Sequence, residues 1–100
     1  MRRHNGAMPH WVIEYGYDDR THLRDQYRPE HRAYLGGLLA EGDLLAFGRY
    51  DDSEAPGALL LAAAETEEAV HRMVERDPFV IQGLVPTVKV RRWAGEFRAA

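Results

Sequence analysis

The chain has 100 residues, 45% of them apolar, with a formal charge of -3 and no cysteine. That length supports one small domain with a modest core, to which dimerisation would add buried surface. The missing cysteine excludes disulfide frameworks, thiolate metal sites and cysteine nucleophiles, while the negative charge and scattered Lys and Arg offer no basic field for nucleic acid or anionic lipid.

Met1 to Pro9 (MRRHNGAMP) lacks the apolar stretch of a signal peptide, and no apolar run reaches membrane length. The simplest expectation is a cytoplasmic protein in which residues 1–8 are a disordered extension or an upstream start and residues 9–98 form the domain. Trp11 to Tyr17 alternates Trp11, Ile13, Tyr15 and Tyr17 with Val12, Glu14 and Gly16, which is strand periodicity. Asp18-Asp19-Arg20 turns the chain, and Thr21 to Tyr27 reads as a short helical turn. Pro29 then opens the main first helix, because proline suits the first turn, where its missing N–H costs nothing. That helix carries an apolar stripe of Tyr34, Leu35, Leu38 and Leu39 and stops at Gly42.

Leu44 to Tyr50 reads as strand two, Asp51 to Gly57 as a loop rich in turn formers, and Ala58 to Ala64 as strand three. Thr66 is a plausible N-cap for a second helix, with Glu67 and Glu68 complementing its dipole and Ala69, Val70, Met73 and Val74 forming its stripe. Asp77, before Pro78, is expected to close it, since the residue before proline is pushed out of helical geometry. Phe79 to Gly83 adds a helical turn before strand four, Pro86 to Trp93.

This strand-helix-strand-strand-helix-strand order is the split βαβ arrangement of α+β ferredoxin-like domains: a four-stranded antiparallel sheet with both helices on one face. Counting directions along it brings the start of helix one and the end of helix two to the same edge, and with them His31 and Asp77. Tyr15, Tyr17, Gly48 and Arg49 fall at that edge too. A His/carboxylate pair there can hold an imidazole in one tautomer for proton transfer. Each residue also has a plain structural role open to it. His31 can serve as an early helix residue, Asp77 as a cap, Arg28 as a surface ion-pair partner of Glu30 or Asp77, Arg49 as a surface residue, and Tyr15 and Tyr17 as core packing. Strands two and three are apolar on both faces, although helices cover only one, so a twofold dimer packed sheet to sheet is expected.

His4, His10, His22 and His71 read as surface residues. They supply no metal-ligand spacing, and Gly-rich phosphate loops and Gly-x-Ser-x-Gly elbows are absent, so no metal and no cofactor are expected.

RPEH at Arg28–His31, EGDLLAFG at Glu41–Gly48, ETEEAV at Glu65–Val70, RDPF at Arg76–Phe79, Gly83, and the closing Val88, Val90 and Trp93 together resemble the YCII-related (YciI-like) family. The likeness covers about nine-tenths of the chain. It implies a ferredoxin-like fold, assembly as a dimeric α/β barrel, and a His31/Asp77 site with Arg28 as part of the pattern. The family's Gly-Pro after strand two is Gly48-Arg49 here, and Ala58 replaces a hydroxyl residue often found entering strand three. Related proteins include a dehydrochlorinase of chlorinated hydroxyhydroquinone, and the wider barrel group includes muconolactone isomerase. The resulting expectation is a homodimeric enzyme using His31 and Asp77 for cofactor-free acid–base chemistry on a small anionic or phenolic metabolite. Isomerisation, dehalogenation or another lyase-type step would fit, with Arg28, Arg49, Tyr15 and Tyr17 as substrate contacts. A non-catalytic ligand-binding or accessory domain using the same cavity is the alternative.

Overall fold

Period-two alternation organises the sheet. Strand β1 (His10–Gly16) buries Trp11, Ile13 and Tyr15 on one face and leaves Glu14 exposed on the other. The structure, a computed structural model, describes residues 8–98, so the expected extension at residues 1–8, with His4, lies outside the described residues except for Met8. After β1 come helix α1 (Thr21–Glu41), β2 (Leu44–Arg49), β3 (Gly57–Ala63), α2 (Glu67–Glu75), the short α3 (Pro78–Ile81) and β4 (Thr87–Trp93). The sheet is antiparallel in the order β2-β3-β1-β4, which is the expected ferredoxin-like arrangement.

Register fixes which side chains meet the helices. Ile13 faces Leu60, Tyr15 faces Ala58 and Trp11 faces Ala62, so these six form the covered side of the sheet. Leu35, Val70 and Val74 close the core from the helices. On the other side lie Val12, Ala46, Leu59 and Leu61, with Leu59 exposed at the surface. A bulge in β2 between Leu44 and Ala46 keeps Leu44 and Phe47 both on the covered side. Gly57 is pinned for space, since a β-carbon there would meet the Tyr15 carbonyl.

Two helix boundaries differ from the sequence reading. Helix α1 begins at Thr21, so Pro29 and His31 lie inside it, not at its start. Proline within a helix removes the hydrogen bond to the carbonyl four residues earlier, here that of Asp25, at a cost of about 3 kcal/mol. The loss falls on an exposed flank where water can reach that carbonyl, and the preceding turns are anchored by Arg24. Arg24 is 2% exposed; it donates to the carbonyls of Asp18 and Leu84, pairs with the Asp18 carboxylate at 3.0 Å and lies over the Tyr17 ring. The second difference is at Asp77. Helix α2 ends at Glu75, and Asp77 instead caps the start of α3, with Pro78 in its first turn. Leu39 is exposed and lies outside the buried stripe.

Other local signals work as written. Gly42 ends α1 at φ 86°, donating its N–H to the Leu39 carbonyl, and the Thr66 hydroxyl accepts the Ala69 N–H at 3.1 Å. No helix among the described residues is long and apolar enough to cross a membrane.

Candidate active site

The inward stripe of α1 runs through Arg24, His31 and Leu35, seven and then four residues apart, so His31 occupies a position where a core side chain would normally sit. It is 7% exposed. Helix α3 packs against this part of α1 and brings up Asp77 and Phe79, both fully buried. The His31 Nδ1 lies 2.7 Å from Asp77 Oδ1. The same oxygen accepts the Phe79 backbone N–H at 2.9 Å, and Oδ2 accepts the Tyr15 hydroxyl at 2.8 Å.

Three donors from three elements therefore converge on one carboxylate, which makes its burial tolerable. Because both oxygens act as acceptors, Nδ1 is the protonated nitrogen of the neutral ring. Nε2 is left as the proton acceptor. Phe79 stacks on the imidazole with centroids 3.8 Å apart and planes 5° from parallel, so the ring is held across its face as well as at its edge.

Burial and the Asp77 charge push the Tyr15 hydroxyl far above the usual phenol range, which keeps it a donor. Burial, with the Asp77 charge second, pushes Tyr17 up to about 12. Its hydroxyl is thus a donor at neutral pH and not a base.

His31 opens onto a cleft of about 190 Å³ between α1 and the β2–β3 half of the sheet. Arg28 and Arg32 line it from the helix, Arg49 from β2, and Tyr17 from the turn after β1. Leu35, Phe47 and Leu60 supply the apolar wall. Arg28 pairs with Asp25 at 3.0 Å, neither with Glu30 nor with Asp77, and its guanidinium lies 5.5 Å from the Phe79 ring centroid.

Five of the six expected site residues thus meet around one feature: His31, Arg28, Arg49 and Tyr17 at the cleft, and Asp77 directly behind His31. Tyr15 is at the same place but on the far side of the carboxylate, its hydroxyl taken by Asp77 and out of the cleft. The sequence reading passed over Arg32 and Phe79. Arg32 follows the candidate histidine directly and shares the exposed flank of α1 with Arg28, four residues earlier, a spacing that puts both on one side of the helix. Phe79 stood in the DPF motif without a role. Among the other histidines, His71 is exposed and bonded to Glu67 at 3.0 Å, while His10 stacks on Trp93. No group of three or more potential metal-ligating side chains gathers among the described residues.

The match to known families is extensive. The YCII-related domain model matches residues 8–94. The chain belongs to this family. Among solved structures, the 5-chloro-2-hydroxyhydroquinone dehydrochlorinase TftG of Burkholderia phenoliruptrix AC1100, solved with 2,5-dihydroxybenzoquinone, is similar at 28% identity and a TM-score of 0.74, over 87% of this chain and 95% of that one. A Pseudomonas aeruginosa protein (16% identity, TM-score 0.56, 94% and 100% covered) and a Mycobacterium tuberculosis protein (16%, 0.52, 92% and 99%) share the fold. No curated protein matches the chain in sequence.

Proposed function

We propose that this YCII-related protein is a small homodimeric enzyme performing cofactor-free acid–base chemistry on a compact anionic or phenolic metabolite. The observation that carries the reading is the His31–Asp77 contact of 2.7 Å, which commits Nδ1 of a cleft-lining histidine to the carboxylate and leaves Nε2 as its other ring nitrogen. His31 Nε2 acts as the general base and, once protonated, as the acid. Asp77 holds the tautomer and stabilises the imidazolium that forms. Tyr15 and Phe79 position Asp77, and Arg28 with Tyr17 contacts the substrate. In an elimination, Nε2 takes the substrate proton, the electrons of that bond form the new double bond, and halide departs. In an isomerisation the imidazolium returns the proton elsewhere on the same molecule.

The likeness to a dehydrochlorinase supports a lyase-type step. A twofold dimer is supported by the open sheet face, where Val12, Ala46 and Leu59 leave apolar surface that the helices do not cover.

A turnover panel spanning hydroxylated and chlorinated aromatics and muconolactones tests the reading. His31→Asn should lower turnover by about two to four orders of magnitude on any substrate found. Asp77→Asn should depress kcat more than it raises KM, because a misoriented base chiefly loses transition-state stabilisation. Full turnover by His31→Asn refutes the assignment; saturable binding across the panel with no turnover identifies a ligand-binding domain instead.

A further inference from the structure

We infer that the cleft selects a substrate bearing a carboxylate, held by Arg32 and Arg49, with the reacting part of the molecule directed to His31. This rests on the functional reading above only for where the reacting atom lies. The carboxylate subsite stands on charge and shape.

Three guanidiniums line the cleft and no Asp or Glu does. Arg28 is committed to Asp25 by two contacts, at 3.0 and 3.2 Å. Among the described residues neither Arg32 nor Arg49 has an ion pair or a side-chain hydrogen bond. In addition, Arg28 and Arg32 are like charges four residues apart on one helix, an arrangement that costs a few tenths of a kcal/mol. In a chain of net charge -3 this concentration of positive charge is against the grain of the composition, and a bound anion would relieve it. The two free cations also come from different walls, Arg32 from α1 and Arg49 from the edge strand β2, so a group between them can be gripped from both sides. Ala58 faces Arg49 across the β2–β3 ladder and its small side chain leaves room beside the guanidinium.

Shape narrows the anion. A cavity of about 150 Å³ accepts a benzene ring. The present cleft, at about 190 Å³ and walled by Leu35, Phe47 and Leu60, has room for one ring or a short hydrocarbon chain with a polar substituent. Planar guanidinium forks match a carboxylate through paired N–H···O bonds. Such forks also pair with phosphate, but the backbone N–H groups that a helix start would add for it are missing here, because Arg28, His31, Arg32 and Leu35 are all interior to α1.

The test uses the full-length protein with benzoate, its neutral isostere benzamide, and inorganic phosphate, each titrated while the side-chain Nε–H signals of Arg32 and Arg49 are followed by ¹⁵N NMR. Benzoate should bind roughly tenfold or more tightly than benzamide and shift both arginine signals. Arg32→Gln and Arg49→Gln should each weaken benzoate by about fivefold or more while leaving benzamide unaffected. Both residues are exposed, so the variants should fold, and thermal midpoints matching that of the wild type would show it. His31→Asn should retain benzoate affinity, so loss of catalysis and loss of the carboxylate subsite are separate results. Equal affinities for benzoate and benzamide overturn the inference. So does unchanged benzoate binding in both arginine variants, or phosphate saturating at lower concentration than benzoate.

Discussion

Replacing Tyr15 by Phe removes a single oxygen from the interior and isolates what that oxygen does for Asp77. The Tyr15 hydroxyl is the donor found on Oδ2, at 2.8 Å, while His31 and the Phe79 N–H both serve Oδ1. The ring itself is 1% exposed and its packing is kept in Tyr15→Phe. The variant should therefore lose the hydrogen bond and little else. A hydrogen bond to a charged group contributes about 1.5–3 kcal/mol, and the penalty here should reach that range because Oδ2 is left buried without a donor. Urea unfolding at pH 7 measures it as a lower midpoint at unchanged slope.

Alkaline pH supplies an independent check on the same residue. Folding raises the Tyr15 pKa far above the value of about 10 that an unfolded tyrosine has. A group whose folded pKa is raised contributes fully below the unfolded pKa, and that contribution falls as pH rises beyond it, here by about 1.4 kcal/mol per pH unit. Tyr17, raised to about 12, loses its share between about pH 10 and 12 in both proteins and so cancels from the comparison. The stability gap between wild type and Tyr15→Phe should accordingly narrow by about 1 kcal/mol from pH 10 to pH 11, where the unfolded tyrosine is still part-way through its titration. An equal gap at both pH values, or none at pH 7, would show that the hydroxyl is not engaged with a buried carboxylate and would undo its positioning role.

Two further outcomes follow from the packing. Light scattering should give twice the chain mass, and Leu59→Glu on the open sheet face should return it to the monomer value or destabilise the protein, because dimerisation would bury an unpaired charge; a wild-type monomer at micromolar concentration rules the dimer out. The Phe79 amide, donated to a buried carboxylate, should exchange its hydrogen about as slowly as the most protected β1 amides, whereas fast exchange would mean that α3 opens on its own and takes the dyad with it.

The sheet was legible because its alternation is chemically plain: Trp11, Ile13 and Tyr15 against Val12 and Glu14 admit one reading. The first half of α1 was not. Residues 21–28 carry no apolar stripe, and what they bury is Arg24, a charged side chain whose partners, Asp18 and the Leu84 carbonyl, become visible only once the chain is folded. Pro29 then looked like a first-turn proline, when the helix in fact tolerates it on its solvent side. Asp77 was misread for a related reason. Its Asp-Pro pair is as good a helix start as a helix stop, and the preceding residue already closes α2. The meeting of His31 with Asp77 was expected from helix ends sharing an edge. Yet His31 lies ten residues, about 15 Å, beyond the start of α1. Topology gave the correct side of the molecule and the wrong level along the helix, and α3 makes up the difference by packing against the middle of α1.

That difference bears on the chemistry. A histidine at the first turn of a helix would sit in the positive end of the dipole and be loosely held, with its ring free to rotate. Inside α1 it occupies a core position, where its ring plane is set by Phe79 and its Nδ1 by Asp77. Asp77 in turn is fixed by Tyr15 from β1 and by the backbone of α3, so the orientation of one imidazole depends on the sheet, the long helix and the short helix all being in place. If Arg32 and Arg49 hold the substrate as proposed, specificity could vary without disturbing this assembly, because both are exposed and, among the described residues, neither has an ion pair or a side-chain hydrogen bond. The fold thus separates the buried set of His31, Asp77, Tyr15 and Phe79, fixed by three elements at once, from the exposed Arg32 and Arg49 at the cleft.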